Sequence, residues 1–293
     1  MKPFTIYHYL GYSFPGQEER LKSLILEAVK PDRVFLLGAS LSRRRTESVF
    51  NDTAPTSQHL SHYFLLVLMN EENDGQAYEV QDKIEQHCNS FIPVTVIALK
   101  TAQFNEWLKC GHPFARTVYH AAVSLYNGTG EPLPPPGHFD PEVEQKALSA
   151  YYTDGLRKAR EFLAAAELFR VRKQNKMTAF MLHQAVEQAL RTLLKVGTGF
   201  HTCTHNVERL IRYGSMVSYM LPDVFSKRTE REKYFLSLLQ KAYIDARYKD
   251  GYTISSSDLL VLTERAEKIM EILETIGEKF LTPQIQNQSL NKS

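Results

Sequence analysis

Residues 128–142 read GTGEPLPPPGHFDPE. Five prolines interspersed with glycine deny this backbone both a helical hydrogen-bond ladder and a place in a central strand. The chain is therefore expected to change character here, and it does. Before the stretch, helix and strand patterns alternate; after it, nearly every segment repeats its apolar residues at helical spacing. The expected organisation is an α/β domain over 1–130, a Pro/Gly linker over 131–141, an all-α bundle over 142–280 and a polar, disordered tail over 281–293. The fold class is thus α+β.

A length of 293 residues suits two domains of ordinary size. No apolar run approaches the length of a membrane span, and the start MKPFTIYHYLGYSFPG lacks the basic-then-apolar order of a signal peptide. Three scattered cysteines (Cys88, Cys110, Cys203) do not make a disulfide framework. A cytoplasmic protein without a membrane partner is expected. A formal charge of +2 gives no global attraction to nucleic acid, and Arg43 to Arg45 read as a solvated loop, so a nucleic-acid partner is not expected.

In the first half, 17–30 has a helical stripe of Leu21, Leu24, Ile25 and Ala28. RVFLLG (33–38) reads as a buried strand followed by a polar loop rich in Arg, Ser and Thr. HYFLLVLM (62–69) is continuously apolar, as a strand covered on both faces should be. A helix over 76–88, a strand PVTVIAL (93–99) and two helical stretches from Thr101 and Phe114 lead to SLYNG.

In the second half, helices are expected over 142–172, around 179–193, over 229–247 and from the SSSD cap at 255–258 onward. The first is expected to turn Ala147, Ala159, Leu163, Ala166 and Phe169 inward. A minor helix is expected over 206–214. Four long helices with short connections describe an antiparallel bundle.

The segments AFMLHQAVEQALRTLL (179–194), HTCTHNVERLI (201–211) and YIDARYKDGY (243–252) resemble a HEPN domain. HEPN domains show a similar Gln-Ala-x-Glu helix, a His-Asn or His-Asp pair before a short helix and an Ala-Arg-Tyr ending on the third long helix. The first half, through GAS (38–40), a strand ending LLV and FARTVYHAAVSLYNG (114–128), resembles a small nucleotidyltransferase domain. The two are often fused in bacteria.

The nucleotidyltransferase resemblance implies an Asp-x-Asp and a third acid that hold divalent cations, together with a Gly-Ser turn that cradles phosphate. On that alignment His62 and Phe64 stand in place of the two aspartates, and Thr95 in place of the third acid. None of these supplies a carboxylate for a hard cation. Glu71, Glu72 and Asp74 follow the second strand in an expected loop. A metal-free, degenerate domain is expected, with Gly38 and Ser40 left as a weak phosphate turn.

The HEPN resemblance raises ribonuclease chemistry, in which an Arg is followed four to six residues later by a His. Here Arg247 is in place, but Tyr252 stands five residues on. Tyrosine, with an ordinary pKa near about 10, is a poor acid–base group at neutral pH. The resemblance also implies a polar, cationic nucleotide pocket, which would fall on Gln184, Glu187, His205, Asn206, Arg247 and Tyr248. A structural reading stands beside it: a Glu187–Arg247 ion pair fixing the bundle, with His205 satisfied nearby.

FHTCTHN (200–206) alternates His201, Cys203 and His205, but these lie too close for three bonds to one ion, and no fourth ligand is near. Gly197 and Gly199 read as a helix stop, and Thr204, Asn206 and Glu208 as a helix start. No metal is expected. The function expected is a non-catalytic protein that needs no cofactor and binds a nucleotide such as ATP or GTP, or a protein partner, with a homodimer through the bundle. The alternatives are an active nucleotidyltransferase or HEPN ribonuclease with a divergent centre, or one member of a toxin–antitoxin pair.

Overall fold

In the computed structural model, which describes residues 15–45, 56–70, 76–249 and 251–281, the chain divides into two units, Met1–Phe139 and Asp140–Ser293. The expected tail beyond Leu281 and the acidic run Glu71, Glu72 and Asp74 lie outside the described residues.

The first unit comprises α1 (Pro15–Ala28), β1 (Pro31–Arg45), β2 (Thr56–Met69), α2 (Ala77–Cys88), β3 (Val94–Lys100), α3 (Thr101–Lys109), α4 (Pro113–Ala121) and β4 (Val123–Asn127). The sheet order is β3-β2-β1-β4; β1 is antiparallel to both neighbours, and β2 is parallel to β3. The apolar run at 62–69 explains why β2 is central. Tyr63, Leu65, Val67 and Met69 join a core with Leu21, Ile25 and Ile84 of α1 and α2. Their neighbours Phe64, Leu66 and Leu68 are buried as well, on the opposite face of the pleat. Phe35 stacks on Phe104 of α3, with ring centroids 6.3 Å apart.

Two expectations for this unit change. The polar segment after Gly38 continues as strand as far as Arg45, pairing Leu41–Arg45 with Leu60–Thr56, with register shifts at Leu36/Gly38 and Ser40/Leu41. Residues Ser124–Asn127 of SLYNG also lie in a strand, β4, paired with β1 from Arg33 to Leu36. The proline-rich segment lies against the first unit. The buried Arg33 donates to Thr129 Oγ1 at 3.1 Å and to the Glu131 carbonyl. Gly137 N donates to the Leu108 carbonyl at 2.8 Å, and Arg116 lies 4.5 Å over the Phe139 ring. Gly111 has φ +71, and a Cβ there would overlap the His138 backbone, so only glycine lets the two strands of chain close up.

The second unit comprises α5 (Pro141–Val171), α6 (Asn175–Thr198), α7 (Val207–Gly214), α8 (Leu221–Val224), α9 (Glu230–Ala242), α10 (Asp245–Tyr248) and α11 (Ser256–Leu281). Asp140 caps α5, its Oδ1 accepting from Glu142 N and Val143 N at 2.9 and 3.2 Å, and Pro141 follows at the first helical position. A three-residue turn reverses the chain into α6, which ends where Gly199 adopts φ +76. Thr229 and Glu232 form a capping box on α9, and Ser255 Oγ accepts from Asp258 N at 3.0 Å ahead of α11.

Helix α6 is the centre of the bundle and carries the largest share of its buried residues. Three corrections apply. The inward stripe of α5 passes through Leu148, Tyr152, Leu156, Ala159, Leu163 and Ala166, which leaves Ala147 exposed one position off the stripe. Helix α8 has no counterpart in the sequence reading. The helix expected over 229–247 is broken: α9 stops at Ala242, and α10 restarts at Asp245 after a turn at Tyr243 and Ile244.

Candidate functional site

In the first unit, Phe64 pairs with Thr95 across β2 and β3, and His62 lies two residues before Phe64 on the same strand face. The His62 and Phe64 rings are 4.9 Å apart, and His62 Nε2 is 2.8 Å from Thr95 Oγ1. The three positions therefore do converge, but an imidazole, a phenyl ring and a hydroxyl fill them. Gly38 and Ser40 pair with Phe64 and His62 inside β1. They make no turn: a Cβ on Gly38 would meet only the Phe64 ring at 3.7 Å, so no close backbone approach explains the glycine. The expected phosphate cradle is replaced by an extended strand. Among the described residues no group of three or more His, Cys, Asp or Glu side chains is placed to hold a metal ion, and no helix is long and apolar enough to cross a membrane.

In the second unit, the buried carboxylate is Glu187 of α6, 5% exposed. Its Oε1 is 3.0 Å from His205 Nδ1 and 3.2 Å from Arg191 Nη2, and its Oε2 is 3.2 Å from His205 Nδ1. His183 Nδ1 lies 3.7 Å from Oε2. A carboxylate buried this deeply needs such partners. Because the carboxylate accepts, His205 Nδ1 donates, and the neutral ring then turns an acceptor Nε2 away from Glu187. The His205 side chain is 48% exposed.

Tyr243, at the break between α9 and α10, stacks with two imidazoles. Its ring is 4.5 Å from His205 and 5.1 Å from His183, nearly parallel to both. It also supports Arg247: Arg247 Nε donates to the Tyr243 carbonyl at 2.8 Å, and the guanidinium lies 4.9–5.0 Å from the rings of Phe180, Tyr243 and Tyr248. Among the described residues no carboxylate pairs with Arg247. The expected Glu187–Arg247 ion pair is thus absent: Arg191, one turn along α6 from Glu187, takes that place. Arg247 is left exposed, positioned by three rings and one carbonyl.

The other expected residues take supporting places. Gln184 Nε2 is 3.3 Å from His183 Nδ1. Asn206 caps α7, its Oδ1 accepting from Arg209 N at 3.0 Å. Tyr248 is 74% exposed. Burial pushes the His183 pKa down to about 4, and the charges of His205, Arg247 and Arg191 add to the fall, while the His205 backbone opposes it. His183 is therefore neutral near pH 7. Tyr252 is buried, with its hydroxyl donating to the Leu238 carbonyl, and burial raises its pKa. It is a core residue and cannot serve as the missing acid–base partner of Arg247.

Sequence reasoning missed His183, Phe180, Arg191, Tyr243 and Gln240. A signal existed for three of them: residues 180, 183, 187 and 191 fall on one helical stripe. Tyr243 gave none, because its position depends on the helix break. Gln240 holds the approach to α7, accepting from Val207 N at 2.7 Å and donating to the His205 carbonyl at 3.4 Å. In FHTCTHN, Arg191 Nη2 donates to the carbonyls of Cys203 and Thr204 at 2.9 and 3.0 Å, so the segment is tied down by its backbone. His201 and Cys203 are exposed, and Cys203 is a free thiol.

Residues 152–276 match the HEPN domain family. No curated protein matches the chain. The class defined by fold and match together is a small mixed four-strand sheet unit followed by a helical HEPN region. That family includes ribonucleases, nucleotide-binding members and non-enzymatic members, and its domains often dimerise.

Proposed function

We propose that the chain is a non-catalytic protein whose HEPN region binds a nucleotide through Arg247 and His205, the sheet unit being a nucleotidyltransferase-like fold without its acidic metal ligands. One observation carries this reading: Arg247 presents a positioned guanidinium with which no carboxylate pairs among the described residues. A phosphate accepts from such a planar fork in a bidentate way. The exposed Nε2 of His205 would hydrogen-bond to the ligand, and Tyr248 would offer aromatic surface to a base. The same surface would suit a partner protein, or a second copy of the bundle.

Catalytic readings need groups that the cluster does not supply. Nucleotidyl transfer lacks carboxylates at 62, 64 and 95, and RNA cleavage lacks a titratable partner at 252. Isothermal titration with ATP and GTP, in Mg²⁺ and in EDTA, tests the proposal. Binding is expected to survive EDTA and to weaken by about tenfold or more in Arg247→Ala, as for loss of a charge-assisted bond. Metal-dependent incorporation of labelled nucleotide, or cleavage of RNA, would support the catalytic alternative instead. Absence of binding would leave only an interaction role.

A further inference from the structure

A cavity of about 600 Å³ lies between α8 and α11, built from residues that the Glu187 cluster does not use. Its apolar lining is Tyr219, Met220, Val224 and Ile272, and its cations are Arg265 and Lys268. Tyr219 is 86% exposed, although its ring gains nothing from water. Its volume falls in the range of small-ligand pockets, roughly 300–1,000 Å³.

Arg265 is the unexplained group. Its guanidinium sits 5.3 Å from the Phe225 ring and 4.9 Å from the Phe235 ring, half-buried. Among the described residues it makes no hydrogen bond and no ion pair, and Nη1 is buried without a partner. Burial lowers its pKa, and only the charge of Glu232 opposes that. The Glu232 carboxylate is engaged elsewhere, accepting from Ser226 Oγ and Thr229 N at 3.1 and 3.0 Å. The two acids on the cavity wall do not neutralise Arg265 either. Asp223 pairs with Arg228 at 2.9 Å, and among the described residues neither Asp223 nor Glu271 forms an ion pair with Arg265. Two rings compensate a half-buried cation only in part; a carboxylate completes it.

We propose that this cavity binds a small amphipathic carboxylate, its anion on Arg265 and its apolar body against Tyr219, Met220, Val224 and Ile272. The reach is set by α11: from Arg265 to Ile272 the helix rises about 10 Å, the length of a fused aromatic acid rather than of a peptide chain.

The test is a titration of the full chain with 2-naphthoate by saturation-transfer NMR, with the uncharged 2-naphthalenemethanol as control. Naphthoate is expected to bind about tenfold more tightly than the alcohol, by the worth of a charge-assisted bond. Arg265→Met, which keeps a side chain of similar length on Phe225 and Phe235, is expected to erase that preference. Tyr219→Ser, whose parent side chain lies almost wholly in solvent, carries the test if Arg265→Met does not fold, and is expected to weaken both ligands. Equal affinities for acid and alcohol, wild-type binding by a folded variant, or binding only of an acidic peptide would overturn the proposal.

Discussion

A histidine buried as completely as His183 stays neutral in the fold, and this has a consequence for pH. Its pKa is about 4 in the native state against 6.5 ordinarily. Below pH 6.5 the unfolded chain takes up a proton that the native fold refuses. Stability is therefore full above pH 6.5, falls as pH drops toward 4, and loses nothing more from this residue below that. Between pH 7 and 4.5 wild type is expected to lose about 2 kcal/mol more than His183→Gln, measured by urea denaturation. Parallel pH profiles would remove His183 from the account. Glu187→Gln keeps the shape but leaves Arg191 and His205 facing a neutral amide, and is expected to cost about 2 kcal/mol at pH 7 by the same measurement. Glu187 and His205 were singled out in the sequence by the resemblance to HEPN domains, and their side chains do meet, Oε1 to Nδ1 at 3.0 Å. That the paired arginine is Arg191 rather than Arg247 was not legible there, since both spacings allow a pair and only packing chooses.

The elements were legible wherever periodicity was long. The apolar run of β2 and the stripes of α6 and α11 appear where expected, with Gly199 and Ser255 as their stop and start. Short or interrupted elements were not: β4 is a five-residue edge strand, and α8 is a single turn. The break at Tyr243 and Ile244 has no glycine or proline to announce it, yet the Tyr243 ring at that break stacks with both His183 and His205. Close approach of α5 and α6 gives a test at this scale. A Cβ on Gly155 would overlap the Thr192 side chain, and Thr192 is fully buried. Helix propensity alone would make Gly155→Ala stabilising by about 1 kcal/mol. The overlap is expected to reverse the sign and cost about 1–2 kcal/mol, read from denaturation midpoints. A stabilised variant would show that α5 and α6 do not approach this closely.

For the whole molecule, the two cores share no residue: one is centred on β2 and α1–α2, the other on α6. The proline-rich stretch marked the change of class in the sequence, but composition could not show that Arg33, Leu108 and Arg116 hold it against the sheet unit. Residues 140–293 expressed alone are expected to give a helical circular dichroism spectrum and a cooperative melt; a non-cooperative melt would mean that the helical core depends on the first unit. Function is also a question of which unit acts, because the sheet unit has the converging positions and the helical unit has Arg247, with which no carboxylate pairs among the described residues. The direct measurement is a TROSY NMR titration of the full chain with ATP in EDTA. The shifts are expected to fall on 180–191, 203–207 and 240–248 and to need about tenfold or more ATP in Arg247→Ala. Shifts around Phe64 and Thr95, or shifts that appear only when Mg²⁺ is added, would contradict the assignment of the site to the helical unit.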